Sequence, residues 1–249
     1  MTVQVRGLRE GLQSALRLAF PPRCLTCDAS VTDDFGLCAS CWRETPFISG
    51  LVCDLCGSPL PGDDTGRSEH CDDCLTIARP WVKGRAALLY RGNARDLVLS
   101  LKHSDRLDLA PSAAKWLYRA AAPLVEPGTV VAPVPLHWLR LLRRKYNQSA
   151  ELSRPLARLA KADHCPDLLQ RIRNTGTQDG RTRDGRFVNT EGAIRVDPRR
   201  CAGILGRPVL LVDDVMTSGA TFAAAAEACL AAGASLVSVV ALARVTKDA

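Results

Sequence analysis

The amino-acid sequence predicts an α/β protein with a parallel sheet flanked by helices, preceded by a small cysteine-rich module. Two observations support this architecture. Apolar strand and helix patterns alternate along the C-terminal part of the 249-residue chain, which is typical of βαβ units. The first 80 residues are instead rich in cysteine, proline, glycine and aspartate, and contain few long apolar runs. We therefore expect two domains, over residues 1–80 and 81–249.

The period of the apolar residues predicts the individual elements. Near the N-terminus we expect a short amphipathic helix, because its apolar residues fall on one helical face: Leu8, Leu12, Ala15, Leu16 and Ala19. Continuous apolar runs are typical of buried parallel strands, and they predict strands at 85–90, 130–136, 208–214 and 235–243. Helices are predicted at 94–103, 109–125, 147–160 and 223–232. Residues 171–190 lack apolar periodicity and are expected to form a mobile loop or a polar hairpin.

The charge and hydropathy of the chain limit its possible environments. Thirty-three Lys and Arg residues against 26 Asp and Glu give a formal net charge of +7. This balance suits phosphate-rich partners, although a generally solvated basic surface explains it equally well. No run approaches the roughly 18 consecutive apolar residues of a membrane span. The N-terminus also lacks the continuous apolar core of a signal peptide, so we expect a cytoplasmic protein with reduced thiols.

Eight of the 11 cysteines form four C-x-x-C pairs that indicate metal binding. The pairs are Cys24 and Cys27, Cys38 and Cys41, Cys53 and Cys56, and Cys71 and Cys74. Two such pairs supply four thiolates to one tetrahedral Zn²⁺ ion, whereas structural disulfides would require an oxidising compartment. Sequential pairing of the knuckles and crossed pairing in one compact unit are both allowed. The zinc is expected to be structural, because a region this poor in core residues gains most of its folding free energy from the metal.

The stretch VLLVDDVMTSGAT, residues 209–221, carries the strongest functional signal. A buried strand ends in Asp213 and Asp214, and small residues then lead into a helix. The N–H groups at such a helix N-terminus bind phosphate, and three hydroxyl side chains add donors: Thr217, Ser218 and Thr221. Two carboxylates repel a phosphate and instead suit sugar hydroxyls or Mg²⁺. The pattern therefore predicts a ligand with a phosphate at one end and a diol nearby, as in a ribose 5-phosphate.

This stretch resembles the phosphoribosyl pyrophosphate signature of the type I phosphoribosyltransferases. In that family an apolar run, two acidic residues and a T-[ST]-G-x-T-like loop follow one another in this order. The resemblance implies that the catalytic candidates Asp213 and Asp214 contact the ribose hydroxyls. It also implies that the 5-phosphate is wrapped by Val215, Met216, Thr217, Ser218, Gly219, Ala220 and Thr221. An ordinary buried strand followed by a capped helix is the alternative.

Nearly the whole chain resembles the ComF family of competence-associated bacterial proteins, which join a double zinc module to a phosphoribosyltransferase domain. Three further segments carry the resemblance: YRGNARDLVLSLKHSDR (90–106), PVPLHWLRLLRRKYNQSAELSRPLA (133–157) and QDGRTRDGRFVNTEGAIRV (178–196). They supply the other substrate-binding candidates, which are Lys102, Arg140, Arg144, Lys145, Asn147 and Gln148. Lys145 stands where the family usually has glycine. Ligands of parallel α/β sheets bind beyond the carboxyl ends of the strands. The lysines and arginines among these candidates are therefore expected to face a pyrophosphate.

Two functions are compatible with these features. In the first, the protein is an enzyme that binds phosphoribosyl pyrophosphate with Mg²⁺ and transfers the phosphoribosyl group to an acceptor. In the second, which the family resemblance implies, it is a binding module that handles single-stranded DNA during DNA uptake. Its partners would then include other DNA-uptake proteins at the inner face of the membrane. Trp138 and Tyr146 lie among the cations, as in single-strand-binding grooves, but core packing explains them equally well.

Overall fold

A computed structural model describes residues 21–32, 36–103, 106–138, 141–142, 145–173 and 183–246. The expected N-terminal helix, Arg140 and Arg144 lie outside these ranges. The chain divides into two compact units, residues 1–45 and 46–249, so the second set of four cysteines belongs to the larger unit. The domain boundary expected near residue 80 from composition stays a prediction. None of the helices in the described ranges combines the length and apolar character that a membrane span requires.

The smaller unit is organised around its cysteines. An isolated antiparallel bridge joins Arg23 to Ser30 across the first knuckle. Helix α1 (Ala39–Glu44) follows, with Cys38 as its N-cap. The Cys38 backbone N–H donates a hydrogen bond to the Cys24 sulfur over 3.3 Å, which draws the two knuckles together.

The larger unit is built on a five-stranded parallel sheet, which confirms the predicted α/β class. Its strands, in spatial order, are β1 (Lys83–Leu89), β7 (Leu236–Arg244), β6 (Pro208–Met216), β2 (Val130–Pro133) and β3 (Asp163–His164). Every pairing in this sheet is parallel. The predicted strands are all present, and β6 continues through both aspartates to Met216. A separate antiparallel pair consists of β4 (Leu169–Arg171) and β5 (Ile194–Val196).

The described helices of the larger unit are α2 (Asp72–Thr76), α3 (Gly92–His103), α4 (Ala110–Ala121), α5 (Gln148–Ala160), α6 (Arg183–Thr190) and α7 (Ala220–Ala231). Of these, α3, α4, α5 and α7 contact the strands of the parallel sheet. Short 3₁₀ turns lie at Leu107–Leu109, Ala122–Leu124 and Cys201–Gly203. Val209 and Leu211 belong to the same buried cluster as Phe222 of α7. Leu210 and Val212 are also buried and alternate with them, so they face the opposite side, where α4 and α5 pack against the sheet.

The expectation for residues 171–190 was wrong at residues 183–190, which form helix α6. This helix packs against α7. Its apolar content is too low to show a helical period, and its position is fixed by tertiary contacts instead: the buried Thr190 hydroxyl donates to the Ala220 carbonyl over 3.3 Å. The antiparallel pair of β4 and β5 shares only Arg171 with the stretch 171–190. Residues 174–182 lie outside the described ranges.

Candidate functional site

The eight paired cysteines form two metal-binding clusters. The first cluster is Cys24, Cys27, Cys38 and Cys41, and the second cluster is Cys53, Cys56, Cys71 and Cys74. Within each cluster all four sulfur atoms lie within 4.8 Å of one another. Of the two pairing schemes, the structure therefore has the sequential one. All 11 cysteines are free thiols.

The spacing of the sulfur atoms fits a zinc ion. The Cys27 and Cys38 sulfurs are 3.6 Å apart in the first cluster, as are those of Cys56 and Cys71 in the second. A tetrahedron with Zn–S distances of about 2.3 Å has edges of about 3.8 Å. Both clusters consequently have the ligand type, number and spacing of a structural zinc site.

The second cluster is attached to the edge of the parallel sheet. Its first knuckle lies against β1, where the Gly84 N–H donates to the Asp54 carbonyl over 2.7 Å. A Cβ atom at Gly84 would stand 2.3 Å from the Leu55 carbonyl oxygen, so only glycine permits this approach. The Arg85 guanidinium pairs with the Asp54 carboxylate at 2.5 Å, and the Trp81 indole donates to the Leu55 carbonyl over 2.6 Å.

The acidic pair lies at the carboxyl end of β6 and is held by its neighbours. The Ser149 hydroxyl, at the start of α5, donates to the Asp213 carboxylate over 2.7 Å. The Lys102 ammonium, near the end of α3, lies 3.3 Å from the Asp214 carboxylate. Burial and the adjacent charge of Asp214 raise the pKa of Asp213 to about 7, against the opposing effect of the Ser149 hydrogen bond. Asp213 is therefore a carboxyl group that takes up and loses a proton near neutral pH.

The segment before α5 positions the residues around this pair. Asn147 is the N-cap of α5: its side chain accepts from the Ser149 N–H and donates to the Val134 carbonyl over 3.0 Å. The Tyr146 hydroxyl donates to the Leu101 carbonyl over 2.7 Å, beside Lys102. Lys145 is exposed and has a φ of +64°. This left-handed backbone explains the glycine found there in the family that the sequence resembles.

The phosphate loop, residues 217–221, joins β6 to α7. Gly219 is the N-cap residue of α7 with a φ of +84°, and the Ser218 hydroxyl accepts a hydrogen bond from the Ala220 N–H over 3.4 Å. A Cβ atom at Gly219 would stand 2.8 Å from the Arg79 Nη1 and 3.1 Å from the Trp81 Cη2. The first N–H groups of an α-helix have no intrahelical acceptor, and together with the helix dipole they attract anions. This loop therefore places a helix N-terminus, whose first N–H group is capped by Ser218, directly after two carboxylates.

Two arginines bind the carbonyl groups behind the loop. The Arg244 guanidinium, which is 3% exposed, donates to the carbonyls of Met216 (3.1 Å), Thr217 and Val245 (2.7 Å). The Arg79 guanidinium donates to the Ser218 carbonyl over 2.7 Å. It also stacks between Trp81 and Phe187, with ring centroids at 5.3 and 5.8 Å. We call Arg79 and Arg244 the carbonyl clamp.

Several candidates from the sequence thus lie around one end of the sheet, namely Asp213, Asp214, the phosphate loop, Lys102 and Asn147. Met216 was expected to be among the residues that wrap the 5-phosphate, but its side chain is buried in the core. Only its backbone is available to the loop. Gln148 is also fully buried, and its amide nitrogen has no hydrogen-bond partner in the described part of the chain. Val215 and Thr221 are half-buried, and Ala220 is buried.

Three residues that organise the site were not predicted from the sequence: Ser149, Arg79 and Arg244. Each acts on a partner that is distant along the chain. Arg79 is 139 positions from Ser218, and Ser149 is 64 positions from Asp213. No local motif marks such a contact, since two of the three residues bind backbone carbonyls that any amino acid would supply.

Comparison with known proteins adds independent information. Residues 15–75 match the double zinc ribbon domain. The chain is 31% identical over 234 residues to the DNA utilization protein YhgH of Escherichia coli strain K12, covering 91% of this chain and 99% of that protein. It is 29% identical over 206 residues to competence protein F of Haemophilus influenzae, covering 80% and 86%. Among solved structures, hypoxanthine phosphoribosyl transferase of Trypanosoma cruzi matches with 13% identity and a TM-score of 0.32, over 61% of this chain and 66% of that one.

Proposed function

The chain belongs to the ComF family, and from this premise we propose that its larger unit binds phosphoribosyl pyrophosphate with Mg²⁺ at the end of β6. The two zinc ribbons are structural in this proposal. The reaction that such a site supports is transfer of the phosphoribosyl group to an acceptor nucleophile, with release of pyrophosphate. We place the protein in the cytoplasm, where its thiols stay reduced and available to zinc.

One observation carries the proposal: the carboxylates of Asp213 and Asp214 lie on the same strand end as the N-terminus of α7. A ligand that satisfies both features has an anionic phosphate for the N–H groups and neutral hydroxyls for the carboxylates. The loop is built for close approach, because Gly219 adopts a backbone conformation that most residues avoid. A ribose 5-phosphate bears these two groups on one sugar ring.

The surrounding charges suit displacement of pyrophosphate. The leaving group gains negative charge as its bond to the anomeric carbon breaks, and Lys102 and the exposed Lys145 are described cations near this end of the sheet. The carboxylates stabilise the positive charge that develops on the ribose. Asp213 and Asp214 would also accept Mg²⁺, which neutralises pyrophosphate when bound. Ser149 and Asn147 hold Asp213 in place during this step.

A second candidate function is the handling of single-stranded DNA. It is favoured by the names of the relatives, which refer to DNA utilization and competence, and by the formal charge of +7. Trp138 is 59% exposed and follows the strand that leads into the basic segment 138–158. An exposed aromatic ring in a cation-rich segment of the sequence is typical of surfaces that stack unpaired bases. The two functions are compatible if ligand binding at the phosphate loop regulates DNA affinity.

Calorimetric titration with Mg²⁺ and phosphoribosyl pyrophosphate tests the first function. We expect saturable binding, weakened at least about 10-fold by Asp213→Asn or Asp214→Asn, because each substitution removes a charged hydrogen-bond acceptor. Asp167→Asn is the matched control, since Asp167 is an exposed partner of Arg200 outside the proposed site. Unchanged affinity in both site variants would show that the ligand binds elsewhere or that the assignment is wrong.

Repeating the titration with a short single-stranded oligonucleotide tests the second function. A shift in oligonucleotide affinity when phosphoribosyl pyrophosphate is present supports coupling between the two ligands, and the shift must be reciprocal. Oligonucleotide binding that is independent of the ligand leaves a separate DNA surface. No oligonucleotide binding at low salt contradicts the DNA-handling function, since phosphate contacts are strongest under those conditions.

A further inference from the structure

Resting on the phosphate site proposed above, we infer that the carbonyl clamp holds the phosphate loop in its binding conformation and makes the second cysteine cluster part of that site. Arg79 and Arg244 are positioning residues in this account. They contact the back of the loop, and neither is expected to touch the ligand. The family resemblance pointed to the loop itself, whereas these two residues lie outside every motif that carried it.

The direction of the loop N–H groups follows from the clamp. The carbonyls of Met216, Thr217 and Ser218 are consecutive along the chain, and all three accept hydrogen bonds from the two arginines. The peptide bonds here are trans, so each N–H points opposite to the carbonyl of its own peptide plane. The next N–H groups, those of Thr217, Ser218 and Gly219, therefore point away from the arginines. The N–H groups of consecutive residues form anion-binding concavities in proteins, and we assign that role to these three.

Both guanidinium groups of the carbonyl clamp are buried, and neither is paired with a carboxylate in the described part of the chain. Within the described part of the chain, the Nε atom of Arg244 and the Nε and Nη2 atoms of Arg79 are buried without an oxygen acceptor. Within the described ranges neither guanidinium forms a salt bridge with a carboxylate. A buried charge without a counter-charge is strongly unfavourable, so an anionic group is expected nearby.

The second cysteine cluster can supply this anionic group, because electrostatic interactions link Cys74 to Arg79 and Cys56 to Arg244. Cys74 precedes Arg79 by five positions, and Trp81 stacks on Arg79 while its indole binds the first knuckle. Cys56, Cys74 and Trp81 belong to the same buried cluster as Met216. Four thiolates on one Zn²⁺ ion carry a net negative charge. The zinc-loaded second cluster thus supplies the counter-charge for the cations that shape the phosphate loop.

Substitution of Arg79 in the full-length, zinc-loaded protein tests the clamp. We expect Arg79→Ala to weaken ribose 5-phosphate binding by about 10- to 100-fold, with partial recovery in Arg79→Lys, which keeps an N–H donor. Pyrophosphate alone should bind near Lys102 and Lys145 rather than at the phosphate loop. Its affinity should therefore change less than about twofold in Arg79→Ala. Arg207→Ala is the control, because Arg207 also binds two backbone carbonyls but lies at the opposite end of β6. Equal losses for the two ligands, or none, would overturn the positioning role.

Hydrogen exchange without any ligand gives a second, independent readout. Arg79→Ala should accelerate amide exchange in residues 217–221 by about 10-fold or more, because the loop loses a fixed conformation, whereas Arg207→Ala should leave it unchanged. Unaltered exchange in Arg79→Ala would overturn the inference. If the wild type fails to bind ribose 5-phosphate but exchange still responds to Arg79→Ala, the proposed function fails and the clamp stands.

The matched pair Cys38→Ser and Cys71→Ser tests the link to the second cluster. Both residues precede a short helix as its N-cap and are half-buried, one in each cluster. Each variant should lose one of two zinc ions, measured by metal content. Only Cys71→Ser is expected to weaken ribose 5-phosphate binding by about 10-fold and to accelerate exchange of residues 217–221. Equal effects of the two variants, or no effect of Cys71→Ser, would overturn this part of the inference.

Discussion

Gly219→Ala is the substitution whose effect the structure defines most closely. Gly219 has a φ of +84°, and an alanine forced into left-handed backbone costs about 1–2 kcal/mol. Its Cβ would also stand 2.8 Å from the Arg79 Nη1 and 3.1 Å from the Trp81 Cη2. Relief of that overlap requires a shift of the loop or of Arg79, at a further cost of about 1–3 kcal/mol. The sum is about 2–5 kcal/mol, most of it located in the phosphate loop.

We expect this strain to appear as lost ligand affinity. A loop that relaxes out of its strained conformation no longer presents its N–H groups together, so ribose 5-phosphate should bind about 10- to 100-fold more weakly in calorimetric titration. Gly206→Ala is the matched control: Gly206 has a φ of +68°, but nothing lies within 4 Å of a Cβ there. It should lower the free energy of unfolding by about 1–2 kcal/mol and leave affinity unchanged. Wild-type affinity in Gly219→Ala would refute the reasoning.

Three further predictions concern the neighbouring residues. The pKa of Asp213 is raised to about 7, so the folded protein keeps a proton that the unfolded chain loses above about pH 4; the free energy of unfolding should fall as pH rises from about 4 to 7, and Asp213→Asn should flatten this slope in urea titrations. Asn147→Ala removes the N-cap of α5 and should lower stability by about 1–2 kcal/mol in thermal unfolding. Lys145→Gly relieves the φ of +64° and should raise stability by up to about 1 kcal/mol, while calorimetry detects weaker pyrophosphate binding.

Each of these three has an outcome that contradicts it. If the free energy of unfolding depends on pH in Asp213→Asn as it does in the wild type, another group is responsible for the titration. Asn147→Asp keeps a capping oxygen but loses the N–H donor to the Val134 carbonyl, so it should recover only part of the stability that Asn147→Ala loses. Full recovery of stability would mean that the hydrogen bond to Val134 contributes little. For Lys145→Gly, undiminished pyrophosphate affinity means that the lysine charge does not face the leaving group.

The sequence predicted the large elements of the fold because their residues carry long, regular apolar patterns. Strands β6 and β7 are continuous apolar runs, and the two clusters of cysteines follow from spacing alone. Strands β3, β4 and β5 escaped prediction because they have only two or three residues each. Helix α6 escaped because its contacts with α7, rather than its own apolar pattern, determine its conformation.

The candidate site was predictable where it depends on local chemistry. Asp213, Asp214 and Gly219 are contiguous in the chain, and their residue types suffice to indicate carboxylates next to a phosphate loop. The supporting residues were not predictable, because Arg79 and Arg244 bind carbonyls whose positions exist only in the folded chain. Lys145 is an intermediate case: its departure from glycine was visible in the sequence, and its positive φ shows why glycine suits that position.

The most direct test of the central claim is hydrogen exchange of the full-length, zinc-loaded protein with and without Mg²⁺ and phosphoribosyl pyrophosphate. The account predicts that the ligand slows exchange in the segment from Asp213 through the phosphate loop to residue 221, and in residues 145–149, with little change at the far end of β6 around Arg207. Binding without protection of the phosphate loop, or protection centred elsewhere, would contradict the assignment of the end of β6 as the ligand site.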